Sequence, residues 1–329
     1  MQIILSNKIN FTGLTAEQTA LLIKRCTYPN PKFFEAQSQG RYTGNIDRQV
    51  TLHELTEEGV SVPAGLFNKL IKTATPVIDQ RHQHPATIPF TGELRPYQQT
   101  FVDDALIAQH GVLVAATGSG KTVSAIALAA KLGQRTLILV KSGDLAKQWI
   151  EAVRQFTGLE CGMIGGGKNT EGEQFTVGLV QTLCKRDLSL LSYGLVIADE
   201  AHNCPAAQFF TVINAMNARY KYGLSATPQR RDSLEFMIHA ALGDVTATIA
   251  ASQLAGKVLP VVVSTQIINF DGEPETWGEF INALVDNPAR NEFIIALAKQ
   301  TKPVIILCSQ VRHCEILRPF PQTKIPKNE

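Results

Sequence analysis

The chain has 329 residues, 44% apolar and 18% charged, with a net charge of +2. That is enough for two domains and a third small one, and the composition is that of a globular protein rather than a disordered or fibrous one. Basic and acidic side chains nearly balance in every region (9 against 7 in residues 1–90, 15 against 14 in 91–257, 7 against 8 in 258–329), so bulk charge does not itself indicate nucleic acid.

From the amino terminus, Met1 to Lys8 lack the basic-then-apolar layout of a secretory leader. The pattern Thr15-Ala16-Glu17-Gln18 predicts a capping box that opens a helix running to Cys26. Extended segments are expected around 41–56 and a second helix over Pro63 to Ala74, which makes residues 1–90 a small α+β module. Tyr28 to Phe34 and Gly40 to Gly44 set aromatic beside basic residues; these can stack on bases and hold phosphate, or form the core and rim of a small fold. Residues 81–90, with Pro85 and Pro89, read as a solvated linker, and no carboxylate or cysteine lies near His82 and His84 to complete a metal site.

After the linker, strand and helix patterns alternate. A helix is expected from Arg95 to His110, closed by Gly111. Strands follow at 112–115, 136–140, 177–180, 195–198 and 221–224, with helices at 121–132, 144–156, 205–217 and 233–241. Short Val/Ile/Leu-rich runs separated by helices predict an α/β fold, a parallel sheet with helices on both faces and ligands at the carboxyl ends of the strands. From 258 a further unit begins: Val304 to Cys308 has the pattern of a buried strand and Val311 to Leu317 starts a helix, before Pro319, Pro321 and Pro326. Seventy-two residues are too few for a full second lobe of about 150, so 258–329 is expected to be a partial one. No apolar run is long enough to span a bilayer. The six cysteines form no C-x-x-C pair, so neither a zinc site nor a disulfide framework is indicated and a cytoplasmic location is expected.

Two segments carry chemistry. Ala115-Ala116-Thr117-Gly118-Ser119-Gly120-Lys121-Thr122 sits between a strand and a helix. A glycine-containing loop there turns backbone N–H groups and a helix N-terminus toward phosphate; Thr117, Gly118, Ser119 and Gly120 form that cradle, Lys121 reaches the β- and γ-phosphates, and the Thr122 hydroxyl ligates Mg²⁺. Ala115 departs from the usual pattern, which has glycine there. The second segment, Leu195 to His202, delivers Asp199 and Glu200 from an apolar strand to the same edge. Adjacent acids after a buried strand need a partner. Asp199 suits Mg²⁺, and Glu200 suits polarising the water that attacks the γ-phosphate.

With these motifs in order over roughly 91–243, the chain resembles the superfamily 2 DEAD/DEAH-box helicases, in particular their UvsW/XPB-like branch. The resemblance implies a RecA-like P-loop NTPase domain over 91–257, a partial second RecA-like domain over 258–329, ATP and Mg²⁺ as cofactors, and ATP hydrolysis coupled to a nucleic-acid partner. On that resemblance DNA, single-stranded or branched, is the expected partner, with RNA as the alternative and no membrane. Leu94 to Gln98 resembles the adenine-reading motif, which gives Arg95 and Gln98 to the nucleotide. Lys141, Gln181 and Thr182 lie in segments resembling those that touch the nucleic-acid backbone. Asp199-Glu200-Ala201-His202 and Gly223-Leu224-Ser225-Ala226-Thr227-Pro228 resemble the family's second and third motifs, which implies that His202, Ser225 and Thr227 couple nucleotide state to strand binding. Arg230-Arg231-Asp232 resembles the flank of the third motif. No Q-x-x-G-R-x-x-R pattern follows Pro228 to supply arginine fingers, so slow hydrolysis is expected, from a truncated helicase or from a half completed by a partner polypeptide. A non-catalytic ATP- and DNA-binding module and the motor of a restriction system are the alternatives.

Overall fold

The computed structural model describes residues 1–71, 75–200, 206–226, 235–254, 264–268, 274–300 and 304–318. Its contacts divide the chain into two units, Met1–Leu259 and Pro260–Glu329.

The first unit begins with β1 (Gln2–Leu5), β2 (Lys8–Thr12), α1 (Ala16–Arg25), β3 (Thr27–Pro29), α2 (Pro31–Ser38), β4 (Gln49–Thr51), β5 (Glu54–Thr56), β6 (Gly59–Pro63), α3 (Phe67–Leu70) and β7 (Ile78–Asp79). The predicted capping box is present: the Gln18 N–H donates to the Thr15 hydroxyl at 3.2 Å, and the Thr15 N–H donates to the Gln18 amide oxygen at 3.0 Å. Strands β5-β6-β2-β1-β7 form one sheet and β3 pairs with β4. Ile3, Leu5, Ile9, Phe11, Val60 and Val62 alternate inward, as period-two strands require.

The helix expected over Pro63 to Ala74 is shorter. Residues 64–66 form a 3₁₀ turn, α3 ends at Leu70 and Ile71 is extended, while 72–74 lie outside the described residues. The 3₁₀ turn passes close to α9: a Cβ on Gly65 would stand 2.6 Å from the Ala240 carbonyl oxygen, so glycine is needed there. The extended region expected at 41–56 is narrower too, with strands only at β4 and β5.

The α/β part follows as α4 (Pro96–Ala108), β8 (His110–Ala115), α5 (Lys121–Leu132), β9 (Thr136–Val140), α6 (Gly143–Thr157), β10 (Cys161–Gly165), β11 (Lys168–Thr170), β12 (Phe175–Leu179), α7 (Val180–Leu183), β13 (Leu195–Asp199), α8 (Ala206–Ala215), β14 (Tyr220–Ser225), α9 (Glu235–Leu242) and β15 (Val245–Ile249). Its sheet runs β11-β10-β12-β9-β13-β14-β8-β15, parallel throughout except for β11. The expected strand at 177–180 is shifted, because Val180 already starts α7. Alternate strand residues feed two cores. Leu195, Ile197 and Tyr222 pack with Phe101, Ile126 and Trp149 on one face; Val196 and Ala198 pack with Phe209 and Ile213 on the other.

The stretch read as a solvated linker is pinned to this sheet. The His82 N–H donates to the Asn217 carbonyl at 2.8 Å, and His84 and Ala86 bond the backbone of Arg135 and Gly133 at 2.7 and 2.8 Å. The amino-terminal module shares its core with the α/β part: Ala240 belongs to it, and Tyr28 stacks on Phe236 with ring centroids 4.8 Å apart.

The second unit holds α10 (Trp277–Asp286), α11 (Pro288–Gln300) and α12 (Val311–Leu317). The start of α12 matches expectation, but residues 304–308 form no strand. Ile305 and Leu307 are 85% and 91% exposed, since no strand among the described residues pairs with them. Among the described residues no helix is long and apolar enough to cross a membrane.

Lys221, near the start of β14, is a buried basic group, 4% exposed. Its ammonium donates to the carbonyls of Ile213 (3.2 Å) and Asn7 (3.4 Å) and faces no carboxylate there. Burial first, and then the charge of Arg81, pushes its pKa down to about 7 from 10.5. Between those values the folded chain has lost a proton that the unfolded chain keeps, so stability rises with pH across that window. Urea unfolding from about pH 7 to about pH 9 is expected to show that rise in the native protein and a flatter response in Lys221→Met, with the variant more stable at pH 7. Parallel pH responses in the two proteins would refute it.

Candidate functional site

Parallel strands end on one edge, so the segments after β8, β9, β12, β13 and β14 come together there without further instruction. These segments contain nearly every residue singled out from sequence. The loop after β8 holds two left-handed glycines, Gly118 (φ 80°) and Gly120 (φ 84°), the second being the N-cap of α5. A Cβ on Gly120 would stand 2.3 Å from the Gln98 side-chain nitrogen, so glycine is required there for both conformation and space. The start of α5 leaves backbone N–H groups without helical partners, the raw material of an anion site. The hydroxyl of Ser119, wholly buried, has no hydrogen-bond partner among the described residues.

Gln98 is buried and ties α4 to this loop. Its amide nitrogen donates to the Ser119 carbonyl at 2.8 Å and its oxygen accepts from the Arg95 N–H at 2.8 Å. One N–H and one lone pair of the amide remain. The Arg95 guanidinium donates to the Tyr97 hydroxyl at 2.9 Å.

The central contact joins two chain segments. Lys121, first residue of α5, places its ammonium 3.1 Å from a carboxylate oxygen of Glu200, just beyond β13. Both side chains are partly buried. Glu200 sits in the left-handed region (φ 51°), a strained state for a non-glycine residue of a kind that gathers at functional sites. Asp199 beside it is buried, and its carboxylate accepts from the Trp149 indole N–H at 2.8 Å. Burial above all pushes the Asp199 pKa up, the Trp149 bond opposes this, the Glu200 charge adds to it and Lys121 opposes it again.

β14 lies between the two halves, with Ser225 at its buried end in register with Val114 of β8. Lys141 follows β9 and is exposed; Gln181 and Thr182 lie in α7 after β12, one strand further along. The structure puts them on the shared edge but not against the Lys121–Glu200 pair. His202 and Thr227, with Ala201, Pro228 and Arg230 to Asp232, lie outside the described residues.

Trp149 is the site residue that sequence reasoning left without a role. An indole on an amphipathic helix reads as core, which it also is; the signal was its N–H, which needs an acceptor when buried. The residues present fit a phosphate chain with a hard cation: the glycine-shaped loop, the unpartnered Ser119 hydroxyl and the Lys121 ammonium on one side, the Thr122 hydroxyl and the Asp199 carboxylate as oxygen donors on the other.

Residues 91–230 match the family model described as "Type III restriction enzyme, res subunit". The probable helicase D10 of Escherichia phage T5 is 28% identical over 312 residues, 91% of this chain and 65% of that protein. The putative DNA 3'-5' helicase Rad25 of Halobacterium salinarum is 34% identical over 190 residues, 55% of this chain and 31% of that protein. The DNA 3'-5' translocase XPB2 of Sulfurisphaera tokodaii is 29% identical over 167 residues, 51% of this chain and 38% of that protein. The chain thus spans about a third to two thirds of these relatives. Two structures of the UvsW helicase of bacteriophage T4 share its fold at TM-score 0.55 and 17% identity, one covering 74% of this chain and 99% of its own, the other 96% and 72%. Over residues 91–230 the chain is thus similar to helicase-family proteins, and its α/β sheet shares the fold of the UvsW structures.

Trp149→Phe is expected to cost about 2 kcal/mol, the range for a hydrogen bond to a charged group, in urea unfolding. In an Asp199→Asn background the same change should cost less than half as much. Equal costs in both backgrounds would show that the ring's packing, not its N–H, carries the effect.

Proposed function

We propose that residues 91–257 bind ATP with Mg²⁺ and that the chain acts as an ATP-dependent DNA helicase or translocase. The observation that carries this reading is the Lys121–Glu200 contact, set between a phosphate-type loop and a buried aspartate on one edge of a parallel sheet. The cation, held by Thr122 and Asp199, would neutralise phosphate charge. Thr117 to Gly120 wrap the phosphates with backbone N–H groups. Lys121 turns from Glu200 to the β- and γ-phosphates, and Glu200 becomes the base that takes a proton from the attacking water. The remaining donor and acceptor of Gln98 suit the edge of adenine, with Arg95 alongside. Lys141, Gln181 and Thr182 are proposed to hold phosphates of the nucleic-acid strand, which positions without reading sequence. Ser225, with His202 and Thr227, is proposed to relay nucleotide state to that surface.

The DNA assignment is supported by the printed names of the Rad25 and XPB2 relatives. A second reading is an ATP- and DNA-binding module without turnover; within these 329 residues no Q-x-x-G-R-x-x-R pattern follows Pro228. An arginine finger is worth about 10³–10⁵ in rate, so hydrolysis by these 329 residues alone is expected to be slow, and a partner polypeptide supplying the arginines should raise it.

Lys121→Ala is expected to lower Mg·ATP affinity at least about tenfold in calorimetry. Glu200→Gln should keep native affinity while cutting DNA-stimulated phosphate release by about 10²–10⁴, the range of a lost general base. Unchanged ATP binding in the first variant, or binding lost in the second, would sink the assignment. Full binding with no turnover in the native chain would select the second reading. Gln98→Ala should narrow the preference for ATP over GTP, and an unaltered preference would remove Gln98 from base recognition.

A further inference from the structure

At the opposite, amino-terminal edge of the large sheet lies a cavity of about 380 Å³, walled by apolar groups that include Leu5, Phe67, Ile107 and Leu242. Seven polar side chains also line it, Asn68 and Gln109 with five that are ionisable: Asp79, Arg81, His110, Arg219 and Lys221. Their charges do not balance. Asp79 is the one carboxylate, and both guanidiniums already share it: Arg81 at 2.7 and 2.9 Å, and Arg219 through a second ion pair. Burial works against its ionisation, but the hydrogen bonds from Arg81 and the charges of both arginines hold its carboxyl below the usual range. The nearby Asp244 is taken up by Lys69 at 2.9 Å. Lys221, 4% exposed, brings a further cation when protonated, which at its pKa of about 7 is part of the population at neutral pH.

Donors are left over as well. Arg219 Nε is buried with no hydrogen-bond partner among the described residues. The Lys221 ammonium has three N–H groups and two acceptors, both long. The His110 ring makes no hydrogen bond among the described residues, and burial together with Arg81 and Lys221 holds its pKa at about 4. A buried donor left unmade carries a desolvation cost that an acceptor from a ligand would relieve. Gln109, which accepts from Arg219 at 3.2 Å, is one of two non-glycine residues in the left-handed region among the described residues (φ 64°). Strain, excess positive charge and unspent donors therefore meet in one apolar-walled cavity of ligand size.

We propose that this cavity is a second binding site, for a small organic anion: one phosphate or carboxylate group received by Lys221, Arg219 and His110, on an apolar body held by the Leu5, Phe67, Ile107 and Leu242 walls. The site is independent of the nucleotide reading. It joins the amino-terminal module, through Leu5, Phe67 and Arg81, to the start of β8 and β14, so its occupancy would stiffen that junction.

Thermal unfolding and calorimetry of the whole chain with phenyl phosphate test it, with benzoate and phenol as companions. Phenyl phosphate or benzoate is expected to raise the midpoint by about 3 °C or more at saturation, and phenol is not. Which of the two anions binds tighter identifies the head group. Lys221→Met should weaken binding about tenfold, measured against its own unliganded midpoint. Ile107→Glu, at a rim position 82% exposed and safe for folding, should weaken it several-fold by charge repulsion. No binding by either anion, equal binding of phenol, native affinity in both variants, or loss of phenyl phosphate binding in Lys121→Ala, which would place the anion in the phosphate loop, would each overturn the proposal.

Discussion

The contact between the Lys121 ammonium and the Glu200 carboxylate closes a gap of 79 residues and fixes where everything else at that edge must stand. It exists because β8 and β13 are parallel and separated by a single strand, β14, so the segments that follow them end at the same height. Reversing either strand would send one partner to the other end of the sheet, and a change of strand order would move the two apart along the same edge. Asp199 depends on the same arrangement: it can be buried because α6, packed on the face below, brings the Trp149 N–H to it. Without that donor a carboxylate at the end of a buried strand would be an uncompensated charge. The sheet therefore positions the loop and the acids, and the helix layer makes the buried acid tolerable.

Much of this was legible in the sequence because it is written in local patterns. The Thr15 capping box, the alternation of apolar runs with helices and the glycine loop before Lys121 are each decided within a few residues. What was not legible depends on distant partners. β10, Cys161 to Gly165, contains two glycines and is not among the expected strands, yet β12 and β11 pair with it on either side. β1 and β2 become strands by pairing with each other and with β6 and β7. Residue 65 must be glycine because α9 passes close by, which no window of local sequence contains. The reverse error has the same origin: Val304 to Cys308 has the composition of a buried strand, but composition does not supply a neighbour to pair with. At the site, the residue types were readable and their strain was not. The left-handed backbone of Glu200 is imposed by the turn out of β13.

The amino-terminal module is more than an appendage on a linker. Its core runs into α8 and α9 through Ala240, Phe210 and Phe236, and residues 82–86 are bonded along the lower edge of the large sheet. Module and sheet form one body, so a load on the module is transmitted to the strands that carry the phosphate loop and the acids. A flexible tether would dissipate it.

Two buried charges on neighbouring strands show how differently the edges are built. Asp199 ends β13 and Lys221 stands near the start of β14, opposite Val196, so they are too far apart along the strands to pair. Each is held by few partners for a buried charge: the Trp149 indole N–H and the Glu200 backbone N–H for the carboxylate, with the Lys121 charge nearby, and two long carbonyl contacts for the ammonium. A core selected for stability alone would replace both with apolar residues of similar size, which is often neutral or stabilising. Instead their pKa values are displaced in opposite senses by the same cause, burial. Incomplete satisfaction of this kind leaves interaction energy for a ligand of opposite charge, a cation beside Asp199 and an anion beside Lys221. The sheet thus separates its two unmet charges to opposite ends, where each can be answered without neutralising the other.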